Sequence, residues 1–293
     1  SVLPTPTVRT KVTRQPVPGG PVLLRDEITL RKVVGVGTGN VALARNPAND
    51  EVYYLNPSDG LFRVDVKDPG TTTRVITKRE ISTDGSPAGM AFGPDGTLYV
   101  VINRKVDQSH TQAIIRKAVM TDGKNYAWAT LAATEPYPLG NTIFDHLYNG
   151  VVISPDGKWL FVNAGSRSDH GEVESSNGAF PEMREVPLTS AILRVPADAR
   201  DLLLPNDENG LKPYLYADGT RNAYDLAFAP NGDLFATDNG PDADYPDELN
   251  WIREGLDYGF PWRFGSQDNP QQFANYDSSK DVRLPGDFTA VKT

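Results

Sequence analysis

Residues 223–240 read AYDLAFAPNGDLFATDNG. An apolar strand (Leu226, Ala227, Phe228) meets a Pro-Asn-Gly turn, and a second strand (Leu234, Phe235, Ala236, Thr237) follows it. Proline presets φ in such a turn and glycine tolerates a left-handed backbone, so the pair closes a tight hairpin. The same order recurs at 87–104 (PAGMAFGPDGTLYVVINR) and 148–167 (YNGVVISPDGKWLFVNAGSR). It begins earlier still, at 40–66 (NVALARNPANDEVYYLNPSDGLFRVDV). The turn prolines are Pro47, Pro94, Pro155 and Pro230. Repeats built from strand, turn and strand predict propeller blades, near 40–66, 87–119, 147–196 and 223–252. Third strands are visible at 113–116 and 191–195. A β-sandwich with chance hairpin similarity is the alternative, and the shared internal order of the units favours the propeller.

Composition agrees with an all-β fold. The 293 residues hold 39% apolar side chains, 24 Pro and 26 Gly, which indicates short strands and many turns. No window approaches the apolar run that a membrane helix needs. The opening SVLPTPTVRT lacks a charged region followed by an apolar stretch, so no signal peptide is expected there. Residues 1–31 read as an N-terminal extension with an opening strand in LLRDEITLRKVV, and 32–293 as one propeller domain incomplete at its C-terminal end. Cysteine is missing, which excludes disulfides and thiolate-bound metals. A net charge of −9 without a basic block argues against nucleic acid or anionic membranes as partners. The acid excess is compatible with a hard cation such as calcium, and equally with a solvated acidic surface.

Chemistry should gather around residues 220–261. Asp238, Asn239, Asp242, Asp244, Asp247 and Glu248 crowd the Gly240-Pro241 step after the second strand of the fourth unit. Sites of this kind sit on loops held by a rigid scaffold. Of the three histidines, His146 lies just before the inner strand of the third unit, next to Asp145. It is either a general base at the channel mouth or a surface-loop histidine. Arg221-Asn222 holds the same place in the fourth unit and suits an oxygen-rich ligand, or else an edge salt bridge. The carbonyls of Gly240 and Pro241 can coordinate calcium, or form a plain turn. His170, in a polar loop with Asp169, Glu172 and Glu174, either touches a metal or substrate or is solvated, and the solvated reading is favoured; His110 reads as part of an outer loop.

These residues resemble a family. Asp145-His146 followed by NGVVISPDGKWLFVNAGSR, Arg221-Asn222 followed by DLAFAPNGDLFATDNGP, and DELNWIREGLDYGFP are similar to the soluble pyrroloquinoline-quinone (PQQ) dependent sugar dehydrogenases, the glucose, aldose-sugar and sorbosone group. The likeness covers about residues 35–265. It implies a six-bladed propeller with PQQ and calcium in the central cleft, and oxidation of an aldose or related aldehyde by hydride transfer to the quinone. His146 would be the base on the sugar hydroxyl, and Asp145 would help position the sugar. Arg221 and Asn222 would contact the cofactor near its quinone carbonyls, and Gly240 and Pro241 would offer oxygens to the bridging calcium. Glu248 and Tyr258 match positions near a second calcium. The resemblance further implies a periplasmic or secreted protein that passes electrons to a cytochrome or quinone.

The family's bases that clamp the PQQ carboxylates lie in later blades, and no residues after Pro261 match them. A further polypeptide or segment is therefore expected to complete the ring. Two other classes stay open. One is a calcium-dependent lactonase that recruits Asp145, Asn163 and Asn222, and the other is a non-catalytic binding propeller.

Overall fold

The proline turns close as the sequence predicts. Gly96, Gly157 and Gly232 each donate their N–H to the carbonyl three residues back, on Gly93, Ser154 and Ala229, at 2.8–2.9 Å. In the first unit Asp50 takes the left-handed position, at φ 63°, and donates to Asn46 O. Asp is one of the few residues that visit this region with a side chain in place. The hairpins so formed belong to a computed structural model that describes residues 30–268, apart from 69, 124, 242–245 and 266.

Four antiparallel sheets follow one another. The first is β1 (Ala42–Asn46), β2 (Glu51–Asn56), β3 (Gly60–Val64) and β4 (Thr72–Thr77), in that order. A one-turn helix, α1 (Lys78–Ile81), leads to the second sheet. That sheet holds β5 (Ser86–Phe92), β6 (Leu98–Lys105), β7 (His110–Met120) and β8 (Tyr126–Thr134), with β9 (Tyr137–Pro138) paired to β7. The third is β10 (Val151–Ile153), β11 (Trp159–Ala164), β12 (Ala191–Pro196) and β14 (Leu215–Asp218). Between β12 and β14 the chain reaches back: β13 (Leu202–Leu204) joins the second sheet by pairing parallel to β8. A second short helix, α2 (Glu208–Leu211), returns it to β14. The fourth sheet is β15 (Ala223–Phe228), β16 (Leu234–Asp238) and β17 (Glu248–Ile252), and a two-residue ladder of β18 (Arg263–Phe264) and β19 (Gln267–Asp268) follows.

The first strands of successive sheets are neighbours: β1 lies beside β5, β5 beside β10, and β10 beside β15. This is the arrangement of propeller blades around an axis, and the protein is an all-β propeller of four visible blades. The blade bounds need one correction. The first three blades run further than expected, to Thr77, Thr134 and Asp218. Their outermost strands are mixed in character, as in TTRVIT, and follow no Pro-Asp-Gly turn, so neither pattern nor punctuation marks them. The opening strand expected at 23–34 falls largely outside the described residues, and 30–34 form no strand.

Three apolar seams join the blades. Tyr53, Leu55, Leu61 and Ile76 of the first meet Met90, Phe92, Leu98, Val100 and Ile102 of the second. Val101, Ile115 and Leu131 meet Val151, Leu160, Val162 and Leu193 between the second and third. Phe161, Ile192 and Ala217 meet Leu226, Leu234, Ala236 and Ile252 between the third and fourth. Strands of the second and third blades therefore alternate between two neighbouring blades rather than between core and water, which is why both of their faces read as apolar.

Candidate active site

The polar residues gather where β10, β11, β15 and β16 meet at one rim. Gly165 follows β11, and a Cβ on it would stand 2.1 Å from His146 O. Only glycine lets the segment before β10 approach so closely. A backbone ladder then ties the segments together: His146 N donates to Ser166 O (2.8 Å), and Ser166 N donates to Arg221 O (2.7 Å). The two stretches that the sequence set in equivalent places, His146 and Arg221-Asn222, are thus joined through one intervening residue.

The His146 ring is partly buried, with Nδ1 3.0 Å from Ser166 Oγ. Burial lowers its pKa to about 4, and the Arg221 charge adds to the effect, so the imidazole is neutral at ordinary pH. Asp145 does not touch this ring. Its two carboxylate oxygens accept the N–H groups of Gly140 (2.6 Å) and Asn141 (2.8 Å), fixing the loop ahead of the histidine. Burial raises the Asp145 pKa, and those N–H groups oppose the rise.

Arg221 is buried. Its Nε donates to Asp169 O (2.7 Å), one terminal nitrogen to Asn239 O (2.9 Å), and the other is paired with the Asp169 carboxylate. The second oxygen of Asp169 faces His170 Nδ1 at 3.1 Å. This corrects the view of the 168–174 loop as solvated: Asp169 is buried, His170 is only 13% exposed, and both belong to the rim. A buried pair of this kind is costly to break, because the surviving partner keeps an uncompensated charge. His110 is likewise not in a loop; it opens β7, bonds Asp107 through Nδ1 (3.1 Å) and sits edge-on to Phe180.

Beneath Arg221 lies Asp238, the last residue of β16. Its carboxylate accepts the N–H groups of Arg221 (3.0 Å) and Asn222 (2.5 Å). Burial pushes its pKa up to about 7, against the pull of those two N–H groups. Asp238 therefore anchors the backbone of the pair that precedes β15, rather than facing outward with the acids that follow it. Asn222 Oδ1 lies 3.4 Å from Asn149 Nδ2, and Asn163 Oδ1 accepts the N–H groups of Asn149 (2.8 Å) and Gly150 (2.7 Å). Asn163 and Asn222 thus share a neighbourhood that Asp145, held by Gly140 and Asn141, does not enter.

The Gly240-Pro241 step leaves β16, with Gly240 N donating to Asp247 Oδ1 at 3.0 Å; Asp242 and Asp244 lie outside the described residues. Glu248 opens β17 opposite Asp238 and bonds Asn250 Nδ2 (3.0 Å). The Tyr258 hydroxyl is engaged near the far end of that strand, with Trp251 O and Arg253 N. The structure therefore brings Gly240, Pro241 and Asp247 together, and leaves the Tyr258 hydroxyl away from the Glu248 carboxylate.

Sequence reasoning missed Ser166, Asp169 and Asn149. It also missed Arg167, whose buried guanidinium bonds the carbonyls of Pro138, Leu139, Glu174, Met183 and Arg184 and so holds the long 167–190 segment in place. The only signal was a run of charged residues and serines in what looked like a loop.

A profile described as Glucose / Sorbosone dehydrogenase matches residues 85–288. The chain belongs to that family. Within it, the chain is 37% identical over 148 residues to quinoprotein glucose dehydrogenase B of Acinetobacter calcoaceticus, a match covering 46% of this chain and 30% of that protein. The PQQ-bound aldose sugar dehydrogenase of Streptomyces coelicolor superposes with a TM-score of 0.55 at 24% identity, over 81% of this chain and 66% of that one. The apo soluble aldose sugar dehydrogenase of Escherichia coli gives 0.51 at 17% identity, over 76% and 63%. The chain thus spans under a third of its curated relative and about two thirds of these family structures.

The rim's donor set fits the family's groups in chemistry. Asn163 Nδ2 is a buried donor with no partner among the described residues, which is the kind of group an oxygen-rich guest satisfies. Arg221 keeps part of its donor fork beyond the bonds to Asp169 and Asn239. The carbonyls at Gly240 and Pro241 are of the oxygen type that calcium takes.

Proposed function

We propose that the protein oxidises an aldose sugar or related aldehyde with PQQ and calcium, His146 taking the proton of the substrate hydroxyl. The observation that carries this reading is a neutral imidazole at the rim, one residue removed by backbone bonds from Arg221-Asn222. A general base must be unprotonated at working pH, and burial keeps His146 in that form. Arg221 and Asn222, braced by Asp238 and Asp169, would hold the cofactor, and Gly240 and Pro241 would hold the cation. When bound, PQQ supplies an electrophilic carbonyl that accepts hydride, and calcium polarises it as a Lewis acid. The rest of the chemistry falls to the chain: fixing the base, keeping the guanidinium in place and limiting water at a buried rim.

The two end blades support a further part of the reading. Leu43 on β1 is 72% exposed, as is Leu249 on β17, and Trp251 beside it is 47% exposed. Thr237 and Phe235 stand across from Leu249 and Trp251 on the same face. We infer that further blades, on this polypeptide or a second one, cover these faces and carry the bases for the PQQ carboxylates.

Reconstitution with calcium and PQQ, followed by aldose oxidation with an artificial electron acceptor, tests the function. Lactone hydrolysis without PQQ, or no turnover of either kind in the blade-complete protein, would overturn it. Light scattering and intact mass test the blades. A 32.0 kDa monomer that binds PQQ tightly would show that the ring closes without additions.

A further inference from the structure

We propose that Ser166 is a positioning residue: its hydroxyl holds the His146 ring in the Nδ1–H tautomer and leaves Nε2 as the lone-pair nitrogen. The inference rests on the reading of His146 as the base, and it names what decides which ring nitrogen does the work.

The derivation is a count of hydrogens. Ser166 Oγ has one, and lies 2.7 Å from Ser168 O. A carbonyl oxygen only accepts, so the hydroxyl hydrogen goes there. What Oγ then presents to His146 Nδ1, 3.0 Å away, is a lone pair. Nδ1 must carry the hydrogen of that bond, and in a neutral imidazole the other nitrogen is then bare.

The acceptor at the end of this relay is itself fixed. Ser168 is buried; its hydroxyl donates to Glu185 Oε1 (2.5 Å), and it accepts Gly171 N (2.9 Å). Glu185 Oε2 accepts Arg167 N (3.0 Å). The long segment between β11 and β12 therefore does a defined job: it places one carbonyl so that one hydroxyl has a single way to point. On the other side, the ladder from His146 to Ser166 to Arg221 and the contact at Gly165 keep the ring within reach.

Among the described residues no carboxylate takes the place of the serine. Asp145 is taken by Gly140 and Asn141, and Asp169 by Arg221 and His170. The relay ends on a neutral oxygen, so it selects a tautomer without stabilising an imidazolium. This suits a ring that burial and Arg221 already keep uncharged.

Nitrogen-15 NMR of histidine-labelled full-length protein tests this without any cofactor. His146 should show a protonated Nδ1 and a bare Nε2. In Ser166→Ala the signal should move towards the Nε2–H form, and Ser166→Thr, which keeps the hydroxyl, should restore it. A wild-type Nε2–H ring overturns the proposal, whether or not the alanine variant folds, and so does an alanine variant with the tautomer unchanged. In reconstituted enzyme Ser166→Ala should lower kcat while leaving KM for the sugar near its wild-type value, and the threonine variant should recover it. If the tautomer is as stated but His146→Ala keeps full turnover, the assigned role of the base is what fails, and the two outcomes are told apart.

Discussion

The seam between the first and second blades and the seam between the third and fourth are built from the same hairpins, yet they end differently at the rim. The first is apolar through its depth, Leu55 and Leu61 against Met90, Phe92 and Ile102. The other has a similar floor of Phe161, Ile192, Leu226 and Leu234, but is capped by Arg221, Asn222, Asp238 and Asp169, all buried. Burying such groups is costly unless each is paired, and here each is: Arg221 with Asp169, and the Asp238 carboxylate with two backbone N–H groups. An apolar seam holds blades together. A capped one also stores oriented charge, which is what a reaction on a polar substrate can use.

The sharpest test of that contrast is a pair of truncations. His146→Ala should cut turnover by about 10²–10⁴-fold, the usual contribution of a general base, with little loss of PQQ binding measured by calorimetry. Leu61→Ala, in the apolar seam, should cost about 2–5 kcal/mol in denaturant unfolding and leave turnover per folded molecule intact. Equal turnover in both variants would break the distinction.

A second test uses pH. Asp238 has a folded pKa of about 7, above its unfolded value, so its contribution to stability is present at low pH and is lost as pH rises towards 7. His146 has a folded pKa of about 4, below its unfolded value, so its contribution is present above pH ~6.5 and is lost as pH falls towards 4. Unfolding curves from pH 4 to 7 should therefore show opposite slopes for the differences between wild type and Asp238→Asn, and between wild type and His146→Ala. Slopes of the same sign would mean that one of the two burials is misjudged. The acid limb of kcat/KM should likewise fall near pH 4 and not near 6.5.

The smallest expected effect lies away from both rims. Arg194 bonds Glu254 through both terminal nitrogens (2.9 and 2.7 Å) and lies over the rings of Trp159 and Tyr216. Glu254 is mostly exposed, so Glu254→Gln should cost under about 1 kcal/mol and change no rate. A larger loss would place an energetic hot spot on the outer surface of the third seam.

Much of the fold was legible because turn chemistry is local: Pro, Asp or Asn, and Gly stand together, and the strand pairs around them repeat. The outer strands were not, since Thr72–Thr77 and Leu215–Asp218 are specified by the neighbour they pair with. At the site, His146 and Arg221-Asn222 stood out because each precedes an inner strand. Their supports did not. Ser166 acts through a hydroxyl whose direction depends on a carbonyl two residues on, and that carbonyl depends on Glu185 seventeen residues beyond Ser168. Asp169 meets Arg221 across fifty-two positions of chain, a pairing that spacing cannot reveal.

The backward reach of β13 has a consequence for how the molecule comes apart. Repeat proteins with contacts only between neighbours can lose units one at a time from either end. Here Leu202–Leu204, encoded within the third blade, is hydrogen-bonded along the outer edge of the second, with Leu204 fully buried. Like a clasp sewn across two panels, it covers an edge that would otherwise be free to recruit another strand. Peeling the third blade away must also uncover the second. Residues 255–258, past the fourth blade, bond back along β14 of the third in the same way, so the second, third and fourth blades should exchange their amide hydrogens as one cooperative block, while the first frays from its side.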